Sequence, residues 1–371
     1  MMRSALRMLI GAAAAVLAVI VALLAPLPAL SAEDTPPAVS IPTGKGLPVQ
    51  VRAALLFNSF ESFDDNKGRF VATTDLRLTW FDPRLRFPAN ESLHGYKEYR
   101  VSAAEEQIAK IWTPRIRYLN RVGEPSFTER RLRIFPDGKV ETIARTTAEY
   151  KASVDVARFP FDRQSLAVEV ATHEDTVESV DLDFSNADVE FSRVAQSAEL
   201  EGWTLGLVNL RREALSGWNG DRYAKIVMAV AVERLSGSTI ATIFIPLFAS
   251  LLIPFLATWM NKAEGGEFEI DAFELANIVI GGLFAVIALG FTISSSYPAI
   301  VSSDNTVTRL IGLNYVALAV GLLITVMFYR YRLPARWFGP YVQEQAYRFL
   351  SWAFPLSFIV TGLAIVMASA A

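Results

Sequence analysis

Seven side chains around one uncharged stretch could line a path for ions. From Leu275 to Ser303 the chain carries no charge, yet Glu274, Asn277, Gly281, Phe284, Ala288, Phe291 and Ser295 follow one another by alternating steps of three and four. That spacing puts them on one face of a helix, polar at both ends and aromatic in the middle. A single helix in lipid has no use for such a face. Several copies around a common axis do, because the polar ends can meet water while the bulky middle forms a constriction that opens and closes by wetting. Repeated around that axis, Glu274 would make an acidic ring favouring cations. The segment ahead of it has the same sign, with Glu264, Glu267, Glu269 and Asp271 against Lys262. A carboxylate here is also favoured by the dipole of the helix it opens, and the two roles are compatible.

Other chemistries lack their residues. The two histidines, His94 and His173, lie far apart, there is no cysteine, and neither a Gly-x-Ser-x-Gly elbow nor a phosphate-cradling glycine loop occurs. Nothing is arranged for hydrolysis, metal catalysis or nucleotide chemistry, so the sequence implies no enzyme, no metal and no cofactor. A net charge of −3 without a basic run argues against nucleic acid as a partner.

The elements that would position the stripe follow from where the apolar residues fall. With 52% of 371 residues hydrophobic, the chain is more apolar than ordinary soluble proteins, and the excess is localised. Residues 1–32 have the anatomy of a secretory signal: Arg3 and Arg7, an apolar run, Pro26, then Ala29, Ser31 and Ala32. Residues 33–48, rich in proline, serine and glycine, are expected to be a flexible lead-in. Residues 49–235 read as β. Leu76, Leu78 and Trp80 alternate with Arg77 and Thr79; Leu166, Val168 and Val170 with Ala167 and Glu169; Ile226, Met228, Val230 and Val232 with the residues between them. Pro136-Asp137-Gly138 marks a hairpin turn, and many short strands imply an antiparallel sandwich with Trp80 and Trp112 in its core.

Residues 236–371 hold four apolar segments, at 239–260, 275–297, 306–330 and 349–367, each near the ~20 residues that cross a ~30 Å bilayer core. Pro246 and Pro254 kink the first rather than forbid it. Arg330, Arg332, Arg336 and Arg348 lie between the third and fourth segments, and Lys262 between the first and second, so the positive-inside rule places both linkers in the cytoplasm. Trp337, Tyr341 and Trp352 then read as interfacial aromatics. The expectation is an α+β chain of two domains: an N-terminal periplasmic antiparallel β-sandwich followed by a four-helix transmembrane bundle, multi-pass in a bacterial inner membrane. Lipid is its surroundings, and a secondary transporter would need more crossings and an internal repeat.

Several motifs now carry a family likeness. Phe81-Asp82-Pro83-Arg84-Leu85 after Trp80, Ile111-Trp112-Thr113-Pro114 with Asn120, Phe135-Pro136-Asp137-Gly138 and Phe159-Pro160-Phe161-Asp162-Arg163-Gln164 come in that order. Arg234 stands before the first crossing, Pro246 within it and Pro298 at the close of the second. In this order they resemble the pentameric ligand-gated ion channels, the Cys-loop receptor superfamily, in its cysteine-free bacterial form. The likeness runs from about residue 49 to the end, with amine-gated bacterial members nearest; Lys151 and Ser165 stand where animal members have the loop cysteines.

The resemblance implies a homopentamer conducting cations, opened by a small-molecule or proton agonist. It implies that Phe159, Pro160, Phe161 and Asp162 sit on the membrane domain near Pro298, with Asp162 meeting Arg234. It implies an agonist site between neighbouring sandwiches, which on this chain falls at Asp75, Arg117, Tyr118, His173, Arg212, Trp218 and Tyr223. Tyr118, Trp218 and Tyr223 fit an aromatic box for an ammonium group. Asp75, His173 and Arg212 depart from it: an arginine pair suits a carboxylate, whereas Asp75 and His173 suit protons or a metal ion. A membrane sensor without conduction is the remaining alternative, though only short linkers are available for docking a cytoplasmic partner.

Overall fold

The computed structural model describes residues 39–92, 94–260, 263–264, 267–268 and 272–370. The secretory signal and the start of the lead-in lie outside them. Residues 39–48 lie against the next domain: Arg84 donates to Ser40 Oγ at 2.9 Å and to its carbonyl at 2.7 Å, and Pro42 is buried.

Two sheets face each other. One runs β3 (Lys97–Arg100), β5 (Arg121–Ile134), β6 (Lys139–Lys151), β2 (Arg69–Phe81), β1 (Val49–Asp64), β8 (Val180–Asp183); the other runs β4 (Ile116–Tyr118), β7 (Arg163–Thr172), β10 (Arg222–Arg234), β9 (Trp203–Ser216). All pairs are antiparallel except β1 with β8. The alternation read from the sequence chooses the inner faces. Phe70, Ala72, Leu76, Leu78 and Trp80 of β2 meet Leu166, Val168 and Val170 of β7 and Ile226, Met228 and Val230 of β10 in one core. Trp80 and Trp112 pack edge to face there, 6.0 Å between ring centres.

The β5–β6 turn is the expected one. Gly138 takes φ +89°, where a Cβ would also come within 2.7 Å of the Asp82 carbonyl, so glycine is required twice over. Asp82 itself is fully buried and neutralised by Arg84, whose Nε and Nη2 lie 2.9 and 2.7 Å from its two oxygens.

Among the described residues four helices are long and apolar enough to cross a membrane: α1 (Ile240–Trp259), α2 (Ala272–Ser296), α3 (Thr306–Arg330) and α4 (Pro340–Ala370). The fourth begins nine residues before its apolar stretch at 349, because polar turns carrying Gln343, Glu344 and Arg348 continue the helix past the bilayer core. Inside the bundle a polar knot ties α1 to α3: Ser250 Oγ donates to Asn314 Oδ1 at 2.8 Å, and Asn314 Nδ2 donates to the Leu247 carbonyl at 3.2 Å. Such bonds take the place that hydrophobic driving force holds in water.

The second helix approaches its neighbours through a missing side chain. A Cβ on Gly282 would fall 2.8 Å from Ile253 of α1 and 2.9 Å from Leu318 of α3, whereas one on Gly281 would meet nothing within 4 Å. Gly282→Leu is therefore expected to push α2 off both neighbours and destabilise the bundle by ~1–3 kcal/mol, while Gly281→Leu is tolerated. Thermal unfolding of the two purified variants checks this, and equal melting temperatures would contradict it.

Candidate functional site

The α2 helix has two unlike sides. Leu275, Val279, Gly282, Val286 and Ile293 are buried against the rest of the chain. Glu274, Asn277, Gly281, Phe284, Ala288, Phe291 and Ser295 are all exposed, with Phe284 at 67% and Phe291 at 76%. Its apolar window is 22% buried by its own chain, against 44% for α1, 39% for α3 and 17% for α4. Among the described residues of one chain, nothing covers the stripe.

At the other end of α2 the sandwich meets the helices. Arg234, the last residue of β10, sends Nε to Asp162 Oδ1 at 2.7 Å and Nη2 to Asp162 Oδ2 at 3.0 Å and Asp65 Oδ2 at 2.7 Å. Its guanidinium lies over the Trp203 ring at 4.2 Å and the Phe159 ring at 5.0 Å. Asp162 also accepts from Gln164 Nε2 at 2.6 Å. Burial alone would lower the pKa of Arg234, but the hydrogen bonds and charges of Asp162, then Asp65, more than offset it and hold the group above the ordinary arginine value.

From this pair the loop reaches into the membrane domain. Phe159, fully buried, packs with Ile243 and Leu247 of α1, Ile293 of α2, Ile300, and Leu310 of α3. Pro160 is buried beside it. Phe161 lines a cavity of about 540 Å³ with Ile240, Phe244 and Phe248 of α1 and Ile359 and Val366 of α4. Pro298 is exposed and opens a helical turn whose Ile300 belongs to the same buried cluster as Phe159. The β1–β2 turn adds a second contact: Ala299 N donates to Asn66 Oδ1 at 3.4 Å.

The seven residues assigned to a ligand do not form one group in a single chain. Strand register explains why. Arg117, Ala171, Lys225 and Glu213 make one rung of the second sheet, and Tyr118, Val170, Ile226 and Arg212 the next. Successive rungs face opposite sides. Tyr118 accordingly points inward, 6.3 Å from the Tyr150 ring, and burial, then the charge of Tyr150, push its phenol well above the usual tyrosine range. Arg212 reaches instead to Asp181 and Asp183 of β8, at 2.8 and 3.0 Å. Asp75 lies in the other sheet, 6% exposed and clasped by Arg145 at 2.8 and 2.7 Å. On the outward parity lie Arg117 and half-buried Tyr223, while exposed His173 follows the end of β7 and Trp218 stands fully exposed in the β9–β10 turn.

A known family has this layout. The model of the neurotransmitter-gated ion-channel ligand binding domain matches residues 38–236, over half of the 371. The chain belongs to the neurotransmitter-gated ion channel family. It is similar to the gamma-aminobutyric acid receptor subunit theta of Mus musculus, 24% identical over 224 residues, 59% of this chain and 34% of that subunit. It is also similar to a proton-gated ion channel of Gloeobacter violaceus, 26% identical over 254 residues, 68% of this chain and 65% of that one. It thus spans about a third of the mouse subunit and just under two thirds of the bacterial channel. In this neurotransmitter-gated family setting, the sandwich is the ligand-binding domain and the junction lies at its membrane end.

Sequence reasoning missed Asp65, Asn66 and Trp203, and gave Gln164 no part in the pair. Asp64-Asp65-Asn66 reads as a solvated turn, and the one available signal was the need of a buried Arg234 for more than one carboxylate. Arg234→Ala would strand Asp162, which is 1% exposed, without its cation. We expect a loss of ~3–5 kcal/mol, partly recovered in the Arg234→Ala/Asp162→Ala double variant. Chemical denaturation followed by tryptophan fluorescence measures both, and a neutral single variant would contradict the role given to this pair.

Proposed function

We propose that five copies of this chain assemble around α2 into a ligand-gated, cation-selective channel of a bacterial inner membrane. The observation that carries the reading is the α2 stripe: polar at Glu274, Asn277 and Ser295, aromatic at Phe284 and Phe291, and uncovered while the opposite side of the helix is packed. A shared axis is the arrangement that gives both halves of that helix a suitable solvent. Phe284, Ala288 and Phe291 form the gate that dries when closed, and the Glu274 ring concentrates cations at the cytoplasmic mouth. The agonist binds between sandwiches, because Asp75 and the Arg117, His173, Tyr223 and Trp218 group lie on different sheets and can share a ligand only across two copies.

Gating is then a shift between two packings of the junction, biased by whichever ligand binds one of them more tightly. Binding on the second sheet moves β10, Arg234 is the end of β10, and Phe159 and Asn66 pass the movement to α1, α2 and the turn after α2. A second reading is proton gating. It is supported by the bacterial relative's own description and by the exposed position of His173. An aromatic box for an amine has less support, since Tyr118 turns inward.

Purified protein in a planar bilayer, screened over pH and small amines and carboxylates, should pass current in steps; silence under all conditions would favour a non-conducting sensor. Phe284→Ala or Phe291→Ala is expected to raise the resting leak several-fold, and an unchanged leak in both would remove these rings from the gate. Glu274→Lys should move the reversal potential toward that of the anion, and an unmoved value would place selectivity elsewhere.

A further inference from the structure

Between α1 and α2 the chain doubles back on itself, Ala263–Glu264 pairing antiparallel with Glu267–Phe268. The ring that ends this turn has a seat. Phe268 lies edge to face with Tyr329 of α3, 4.5 Å between ring centres, and with Tyr347 of α4, 5.2 Å away. The two tyrosines are themselves edge to face at 5.7 Å, so three rings close a triangle in the arrangement their quadrupoles favour. Hydroxyls tie the seat to a third helix: Tyr329 donates to the Tyr347 hydroxyl at 2.6 Å, and Tyr347 donates to the carbonyl of Thr258 at the foot of α1. Tyr329, Tyr347 and Thr258 are all buried. The feet of α1, α3 and α4 thus build the seat, and the linker to α2 supplies the residue that fills it.

Little chain separates Phe268 from the acid of the stripe. Ala272 opens α2 within about 14 Å of extended backbone, and Glu274 lies in the first turn. Phe273, Glu274 and Asn277 are exposed, and Leu275 is the one fully buried side chain of that turn. Leu275 and Phe268 pack into the same cluster, which also holds Phe328, Tyr329 and Tyr347. The Glu274 carboxylate is therefore carried by a turn attached at two points, one on each side of it along the chain. A turn attached at one point alone can swing about it. The pull of a carboxylate on a passing ion falls with distance, so a swing changes the charge the ion meets.

We propose that Phe268 is a positioning residue for ion selection: with Leu275 it holds the height and rotation at which Glu274 is presented, although it meets no ion itself. This role rests on the channel reading and adds to it that a seat on α3 and α4 decides how α2 offers its acid.

Two measurements on full-length wild type, F268A, F268L and Y347F test this. Under a salt gradient in planar bilayers, F268A should lower the cation-to-anion permeability ratio several-fold. F268L, which fills the seat without a ring, should fall between, and Y347F, which keeps all three rings and loses the hydroxyl ties, should stay near wild type. Hydrogen exchange read by mass spectrometry follows the same seat without current: F268A should raise exchange several-fold at the amides of 273–280 and leave 306–324 of α3 unchanged, whereas a general loss of stability would raise both. An unmoved reversal potential in F268A, an equal shift in Y347F, or exchange that stays put in α2 or rises equally in α3 would overturn the proposal. Wild-type protein that carries no current would overturn the channel reading and with it the role in selection, while exchange still decides whether Phe268 fixes the start of α2.

Discussion

A guanidinium nine-tenths removed from water decides how the two halves of this molecule meet. Arg234 is 10% exposed, and a buried charge without partners would be untenable. Its partners come from two separate turns, Asp65 between β1 and β2 and Asp162 after β6, so three distant pieces of chain must converge on one point. Once they converge, the rest is placed. Phe159 is carried into the top of the helices, Asn66 is brought to Ala299, and Trp203 closes the cage from the side of β9. The three pieces of chain cannot separate without exposing this charge pair.

Much of the architecture was legible because burial in a sheet and in a bilayer writes distinct periods. Alternation in β2, β7 and β10 picked the faces that form the core, Pro136-Asp137-Gly138 marked its turn, and four apolar windows marked the spans. The stripe on α2 was legible for the same reason: steps of three and four can only lie on one side. Pairing information was not. The parallel contact of β1 with β8 depends on a long connection whose sequence carries no sign of it.

The ligand face shows the same limit at finer grain. Positions carried over from a family likeness include both parities of a strand, and a sheet gives each parity a different environment. Tyr118 and Arg212 fall on the rung that faces the interior, so one is packed on Tyr150 and the other bound to β8. Arg117 and Tyr223 fall outside. Nor could Asp65 be told from any acidic turn, because its role depends on a cation 169 residues away. The start of α4 at Pro340 escaped an apolar window for a simpler reason: a helix ends where its backbone bonding ends, and a bilayer ends earlier.

Gly282 gives the second helix a fulcrum. Held close to Ile253 and Leu318 at that level, α2 has no room to retreat sideways there, so any widening must come from tilt about this contact. With a rise of about 1.5 Å per residue, Phe284 sits on a lever arm of roughly 3 Å and Phe291 on one of roughly 13 Å. The same swing thus displaces the upper ring about four times as far as the lower. In the proposed pore, two chemically identical constrictions would part at different moments, the outer one first.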